Sequence, residues 1–538
     1  MTKKISLLCL IILCVSCASV EKHNLQITKL HPVADLHEDI NKFYTQLKRH
    51  HPHIYQFTSK ETLDFKFDSL KTAINKPVDS RTFFMQLAAV KKQIGQGHIT
   101  LRLPEKRLLK KERKALKDSK FDIDNLDYEY LNGKLWIVNA RGKDSILIGS
   151  EVVKVNEETP QELITKYKKI IGSDGYNKTR QNRAVGRWFM GYYRIDKGRF
   201  DSITLTLKNS DSIFVKKYRK TFKPELTKVK SDSTKTGSNK KKLTKEEKRV
   251  KKTERKALKK YNSKYGYIAS RKEYTRNLNF VGKDSSVAVL KIRGFTNGKY
   301  KEFYAETFAE IDKRGSKALI IDLRDNGGGR LKEITHLYTY LTNKIFKMVN
   351  YGEVNSRMLT FKVLMSNTRS IGSKIYSVIL SPIIITQDLL KTNRKGGKLY
   401  YKFSASKEKE PNLLHYRGPI YVLINGNSFS ASSTLSTQLQ GNRRATLVGE
   451  ETGGAYNGTV AGQFKIYELP NTKIRARIGL IYMDTPFKVS PDGYGVRPDI
   501  EILPTVQDRL EKRDPELEWV LKEVKSKKSE EKFKNIKI

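Results

Sequence analysis

Two segments hold the residues whose types and spacing could do chemistry. In Ala318-Leu-Ile-Ile-Asp-Leu-Arg-Asp-Asn-Gly-Gly-Gly-Arg330, an apolar run empties into three glycines. Glycine has no Cβ, so this turn lets backbone N–H groups approach a ligand closely. In Val422-Leu-Ile-Asn-Gly-Asn-Ser-Phe-Ser-Ala-Ser-Ser433, an apolar run ends in four serines, Ser428, Ser430, Ser432 and Ser433. Serine at a helix start is a favoured N-cap, so one of the four is expected to cap. A hydroxyl there also lies where the helix dipole favours a developing anion. A hydroxyl nucleophile beside free N–H donors is what acyl transfer needs. Taken alone, the glycine turn fits an anion or oxyanion site and a plain tight turn equally. It lacks the Gly-Lys-Ser/Thr sequel of a phosphate loop and the Gly-x-Gly-x-x-Gly of a dinucleotide site.

A serine also needs a base. His98 is the only histidine between His53 and His336, and it sits in a glycine-flanked turn, Gly95-Gln-Gly-His98. Imidazole has the right ordinary pKa for general-base work near neutrality. A carboxylate would then orient the ring. Asp492, in Ser490-Pro-Asp-Gly-Tyr-Gly-Val-Arg-Pro-Asp499, is one such group.

Several elements must bring these groups together. From Asp35 to about Leu116 apolar residues recur every three to four positions, which predicts helices. Asp79-Ser-Arg-Thr82 reads as a helix start. Residues 121–218 read as strand-rich, with Leu135–Val138, Val152–Val155 and Ile203–Leu207 as strands and a short helix over 161–171. From Tyr274 strands and helices alternate, the pattern of a mainly parallel layered core. Phe464 to Met483 reads as a hairpin.

With 538 residues the chain is too long for one core. All three cysteines, Cys9, Cys14 and Cys17, fall in the first seventeen residues, so the body has no disulfide, thiolate nucleophile or cysteine metal site. Lys3 and Lys4 followed by the apolar stretch Ile5 to Val15 read as an export signal, too short for a membrane span. Ser16-Cys17-Ala18 resembles a bacterial lipoprotein processing site, with Cys17 as the acylated residue. The net charge is +48, much of it within 228–260 and after Lys522. Such runs are ordinarily solvated, helical in part or disordered, and they can also attract anionic lipid. No nucleic-acid motif accompanies them.

Taken together, these motifs resemble the tail-specific, or C-terminal processing, serine peptidases, including their tricorn core-like branch, over residues 35–503. Asp322 to Gly329, the Ser-x-Ser-Ala-Ser run, Val448-Gly-Glu-Glu-Thr-Gly-Gly454 and Gly493-Tyr-Gly-Val-Arg-Pro-Asp499 carry the likeness. The resemblance implies an α/β multidomain fold with an N-terminal helical domain (35–118), a PDZ-like β-rich domain (121–220) and a layered β/α, ClpP/crotonase-like catalytic core (270–505). Around these would lie a lipoprotein signal peptide (1–17), a tether (18–34), a lysine-rich insert (225–265) and a basic tail (506–538). It implies Ser430 as nucleophile and the N–H groups of Ala431 and Gly328 as oxyanion hole. The lysine of the Ser-Lys branch is replaced by Ala455, while Gly97-His-Ile-Thr100 matches the histidine-using branch. His98 is therefore the expected base and Asp492 its acid partner. The expected protein is a lipid-anchored, envelope-facing serine endopeptidase acting on extended polypeptides. It would need no cofactor or metal, would bind no nucleic acid, and would meet the membrane through its anchor and basic insert. A non-catalytic peptide- or lipid-binding protein on the same scaffold is the alternative.

Overall fold

The structure, a computed structural model, describes residues 20–536 apart from 118, 210–211, 223–243, 270, 283–284 and 297. Cys17, the apolar stretch before it and part of the lysine-rich segment lie outside these residues.

The largest core surrounds a six-stranded sheet. Its strands run Ile500–Glu501, Thr446–Gly449, Ile420–Ile424, Ala318–Asp322, Val287–Ile292 and Arg276–Val281, in that spatial order. All neighbours are parallel except the last pair. Ala318–Asp322 and Ile420–Ile424 are buried at every position, as expected of central parallel strands covered on both faces. Helices Tyr300–Lys313, Leu331–Thr339 and Ala431–Gly441 cover one face. Leu517 and Val520 of the C-terminal helix close the other. Leu319 pairs with Ile420 and Asp322 with Leu423, so the two strands end side by side. The glycine turn after one therefore meets the serine turn after the other.

A second six-stranded sheet contains the long hairpin Gly458–Glu468 and Arg475–Asp484, with Thr100–Arg102 added at its edge. Helices Val33–His50, Lys60–Ala73 and Ser80–Lys92 pack their Leu36, Phe43, Phe67, Phe83 and Leu87 on this sheet. Ser59 and Asp79 cap the second and third of these helices. A third sheet, antiparallel, spans Leu126–Leu131, Lys134–Ala140, Glu151–Val155, Ser202–Asn209 and Ser212–Arg219. Helices Pro160–Lys168, Thr179–Arg187 and Phe189–Lys197 pack on it. The last two fall in the stretch read only as part of a strand-rich region, where the sequence reading names no element. Their apolar residues Ala184, Val185, Phe189, Met190 and Tyr193 come in short clusters that a strand reading absorbs equally well.

Lys245–Tyr265 is one helix with a capping box at Thr244 and Glu247, and none of its residues is buried. The box satisfies N–H groups at the helix start, and the last turn meets the main core, where Tyr265 packs edge-on against Phe303.

Candidate active site

The four serines separate by what their hydroxyls touch. Ser428 Oγ donates to the Leu323 carbonyl, Ser432 Oγ to the Asn326 carbonyl and Ser433 Oγ to the Ser428 carbonyl. Ser430 stands at the N-cap position of Ala431–Gly441 but makes no capping bond. Its backbone has φ 57° and ψ −122°, outside the region most side chains adopt. This elbow turns Oγ away from the helix amides and toward His98 Nε2, 2.9 Å away. The expected cap is thus missing, because its geometry is given up to the elbow.

Gly328 lets the elbow form. A Cβ there would lie 2.5 Å from the Phe429 carbonyl oxygen, 2.7 Å from Ser430 Cβ and 2.8 Å from Ala431 N, and its φ is +91°. Only glycine fits both the conformation and the space. Asn326, fully buried, pins this turn. Its Oδ1 accepts the Gly328 N–H at 2.9 Å, its Nδ2 donates to the Ile292 carbonyl at 2.9 Å, and its carbonyl accepts the Phe429 N–H at 3.0 Å. The Gly328 N–H expected in the oxyanion hole is therefore engaged by a side chain. Among the described residues no acceptor takes the N–H of Gly329 or Ala431.

His98 follows the helix Ser80–Lys92 in a turn that Gly95 allows at φ +69°. Its ring lies between Phe429 and Phe464, with centroid separations of 4.6 Å and 6.3 Å. Arg180 covers the Phe429 ring at 3.8 Å and Arg477 the Phe464 ring at 3.2 Å. Burial, then Arg477, Arg180 and His51, push the imidazole pKa down to about 3. At neutral pH the ring is uncharged, the state a base requires.

The far side of the ring departs from expectation. Nδ1 lies 3.0 Å from Thr459 Oγ1, and Asp174 stands behind it with Oδ1 4.0 Å from Nδ1. The Thr459 hydroxyl also acts on the Asp174 carboxylate, favouring its ionised form. Asp174 further accepts the Gly97 N–H at 2.8 Å and the Ala455 N–H at 3.3 Å. Burial raises its pKa, while those N–H groups, Thr459 and Arg180 oppose the rise. Asp492 is not at the ring. Its Oδ2 accepts from Gln56 Nε2 at 2.9 Å and its Oδ1 from its neighbour's N–H. Gln56 in turn accepts from Gln96, two residues before His98, so Asp492 supports the turn and not the imidazole. Thr459 and Asp174 are the site residues that sequence reasoning misses. The one available signal for Asp174 is its glycine-flanked turn, Gly172-Ser-Asp-Gly175.

A cleft of about 690 Å³ opens over Ser430, bounded by the glycine turn, Phe429, Phe464 and Met483. Arg180, Arg330, Lys332 and Arg477 line it, and among the described residues no carboxylate does. No group of His, Cys, Asp and Glu that could hold a metal is found among the described residues.

Residues 286–502, which carry the serine and glycine turns and Thr459, match the profile of Peptidase family S41. The chain contains a peptidase family S41 domain. The carboxy-terminal-processing protease of Bartonella bacilliformis is 35% identical over 222 residues, covering 41% of this chain and 39% of that protein. The carboxyl-terminal-processing protease of Synechocystis sp. is 27% identical over 183 residues, covering 34% and 30%. The matches thus span well under half the length of either relative. Mature CPAF, solved in complex with lactacystin, superposes on 89% of this chain and 95% of its own with a TM-score of 0.56 and 14% identity, a likeness of fold. His98 and Asp174 lie outside the matched S41 segment, so the site draws on parts of the chain that precede it.

Proposed function

We propose that the chain is a serine endopeptidase of the bacterial cell envelope, lipid-anchored at Cys17, that cleaves extended polypeptides by a Ser430–His98 mechanism. The 2.9 Å contact between Ser430 Oγ and a neutral, oriented His98 Nε2 carries this reading.

In this mechanism the polar groups act as one directed chain. The Ser430 hydroxyl donates to Nε2, Nδ1–H donates to Thr459 Oγ1, and the Thr459 hydroxyl donates to Asp174. That order fixes the imidazole tautomer a base needs. As Oγ attacks the substrate carbonyl carbon, its proton passes to Nε2. The positive charge gained by the ring is stabilised through Thr459 by Asp174. The carbonyl oxygen, now an oxyanion, is received by the Ala431 N–H and by the glycine turn. The family resemblance implies Gly328 in this role. With the Gly328 N–H held by Asn326, the Gly329 N–H is the better second donor. Nε2–H then protonates the leaving amine, the C–N bond breaks, and an acyl-Ser430 ester remains. Water, deprotonated by His98, hydrolyses the ester and restores the serine.

Turnover of a fluorogenic library of extended peptides tests this. The wild-type chain should cleave, and Ser430→Ala should lose cleavage while still binding peptide. Cleavage that survives Ser430→Ala in metal-free buffer would place the chemistry elsewhere.

A further inference from the structure

Residues 359–391 form three short helices, Leu359–Leu364, Ile371–Ile379 and Ser381–Lys391. In the last two, the usual burial pattern is reversed. Their buried residues are Ser377 and Asp388. Ile375, Tyr376, Ile379, Ile383 and Leu390 are instead 55, 64, 69, 60 and 76% exposed. Scattered exposed apolar residues are normal, but a contiguous apolar face with polar residues turned inward marks a docking surface.

The inversion is built into the fold. Asp388 accepts from Thr360 N at 2.7 Å, Thr360 Oγ1 at 2.7 Å and Phe361 N at 3.3 Å. It thereby satisfies first-turn amides of the helix Leu359–Leu364. Turning the pair over to hide its leucines and isoleucines would break these bonds and leave buried donors unpaired. The outward face is held outward.

Its charge says what covers it. Residues 355–398 include eight lysines and arginines and a single acid, the buried Asp388. The segment's own charge is thus almost wholly cationic, and the acids that other elements bring to it include Glu353, paired with Lys398, and Glu468, beside Asn367. A second copy would bring this face against itself across a two-fold axis and oppose like charges. An anionic bilayer offers both an apolar layer and negative headgroups. The two helices have 9 and 11 residues, too few to cross a membrane, for which about 20 are needed. No helix among the described residues is long and apolar enough to span one.

We propose that the helix pair Ile371–Lys391 docks on an anionic lipid bilayer, lying in the headgroup layer. The inference stands on this surface alone and does not rest on the peptidase reading. It has a consequence for the cleft. The helix Leu359–Leu364 packs against the strand Gly458–Glu468, where Gln463 Nε2 lies 3.5 Å from Thr360 Oγ1. That strand supplies Thr459, Ala461 and Phe464 to the cleft. Docking would bring the cleft close to the membrane.

Hydrogen exchange tests the proposal on the full chain carrying Cys17→Ser, which removes any acyl group. Phosphatidylcholine/phosphatidylglycerol vesicles should protect 371–391 more than phosphatidylcholine vesicles do. Combining Ile375→Ser, Ile379→Ser and Leu390→Ser should abolish that local protection and weaken vesicle binding about tenfold or more, with the melting temperature kept because these side chains are exposed. Unchanged exchange with anionic vesicles would overturn the proposal, as would equal protection by both lipids. Protection that grows with protein concentration without vesicles would overturn it too, by assigning the face to a second copy.

Discussion

Ser430 and His98 stand 332 residues apart in the chain and 2.9 Å apart in the fold. The pair is joined because separate parts of the chain converge. The parallel core supplies Ser430, the turn after the third N-terminal helix supplies His98, and the hairpin strand supplies Thr459. The segment after Pro160–Lys168 supplies Asp174. One carboxylate, Asp174, both backs Thr459 and holds the Gly97 N–H of the histidine turn.

Asp174 and Thr459 should therefore act as positioning groups. Asp174→Asn puts an N–H donor where three donors already converge, and should lower kcat by about 100-fold or more. Thr459→Val removes the relay oxygen and should cost about tenfold or more, with Thr459→Ser restoring most of it. Single-turnover acylation rates distinguish this from weakened binding. Equal rates in wild type and Asp174→Asn would exclude Asp174 from that role.

The pH dependence has a definite sign. The base must be neutral, and the folded His98 pKa is pushed from 6.5 to about 3. Loss of acylation on the acid side should thus fall well below pH 6. Arg477→Met removes one opposing cation and should move that limb upward. His50 and His51 are likewise pushed to about 3, chiefly by burial. Below pH 6.5 the unfolded chain binds protons that these folded histidines refuse, so their contribution to stability is lost as pH falls from 6.5 toward 3. Melting temperatures recorded from pH 7.5 to 4.5 should fall on the acid side.

Two neighbouring glycines should behave oppositely. Nothing lies within 4 Å of a Cβ placed at Gly327, whereas one at Gly328 strikes Phe429, Ser430 and Ala431. Gly327→Ala should keep activity within about threefold, and Gly328→Ala should abolish it. Similar activity in both would contradict the assigned geometry.

The cleft should prefer acidic substrates. Among the described residues four cations and no carboxylate line it, so acidic residues near the scissile bond should raise kcat/KM, and added salt should erase the gain. Lys332→Glu should weaken that preference in paired-peptide assays.

Much of this arrangement is legible in the chain. Continuous apolar runs ending in Gly327–Gly329 and in the serine run mark the two buried strands and the turns that meet at their ends. The glycine-flanked turn marks His98. The acid partner is not legible in the same way. Asp492 stands directly before Gly493 in the closing motif, so it is a sequence neighbour of residues the motif already marks. Asp174 comes to the ring only through tertiary packing. Its turn is docked by Gly175 N–H on the Gly95 carbonyl at 2.7 Å and by Tyr176 N–H on the Gly493 carbonyl at 2.8 Å. The helices Ile371–Ile379 and Ser381–Lys391 escape a sequence reading for another reason. Their apolar residues face outward, so their periodicity reports no core.

The most direct test is labelling by a fluorophosphonate probe, which needs an activated serine, in wild type, Ser430→Ala and His98→Ala. Labelling is expected in wild type and in neither variant, with all three proteins folded by circular dichroism. Undiminished labelling of His98→Ala, or none of the folded wild type, would contradict a Ser430–His98 site.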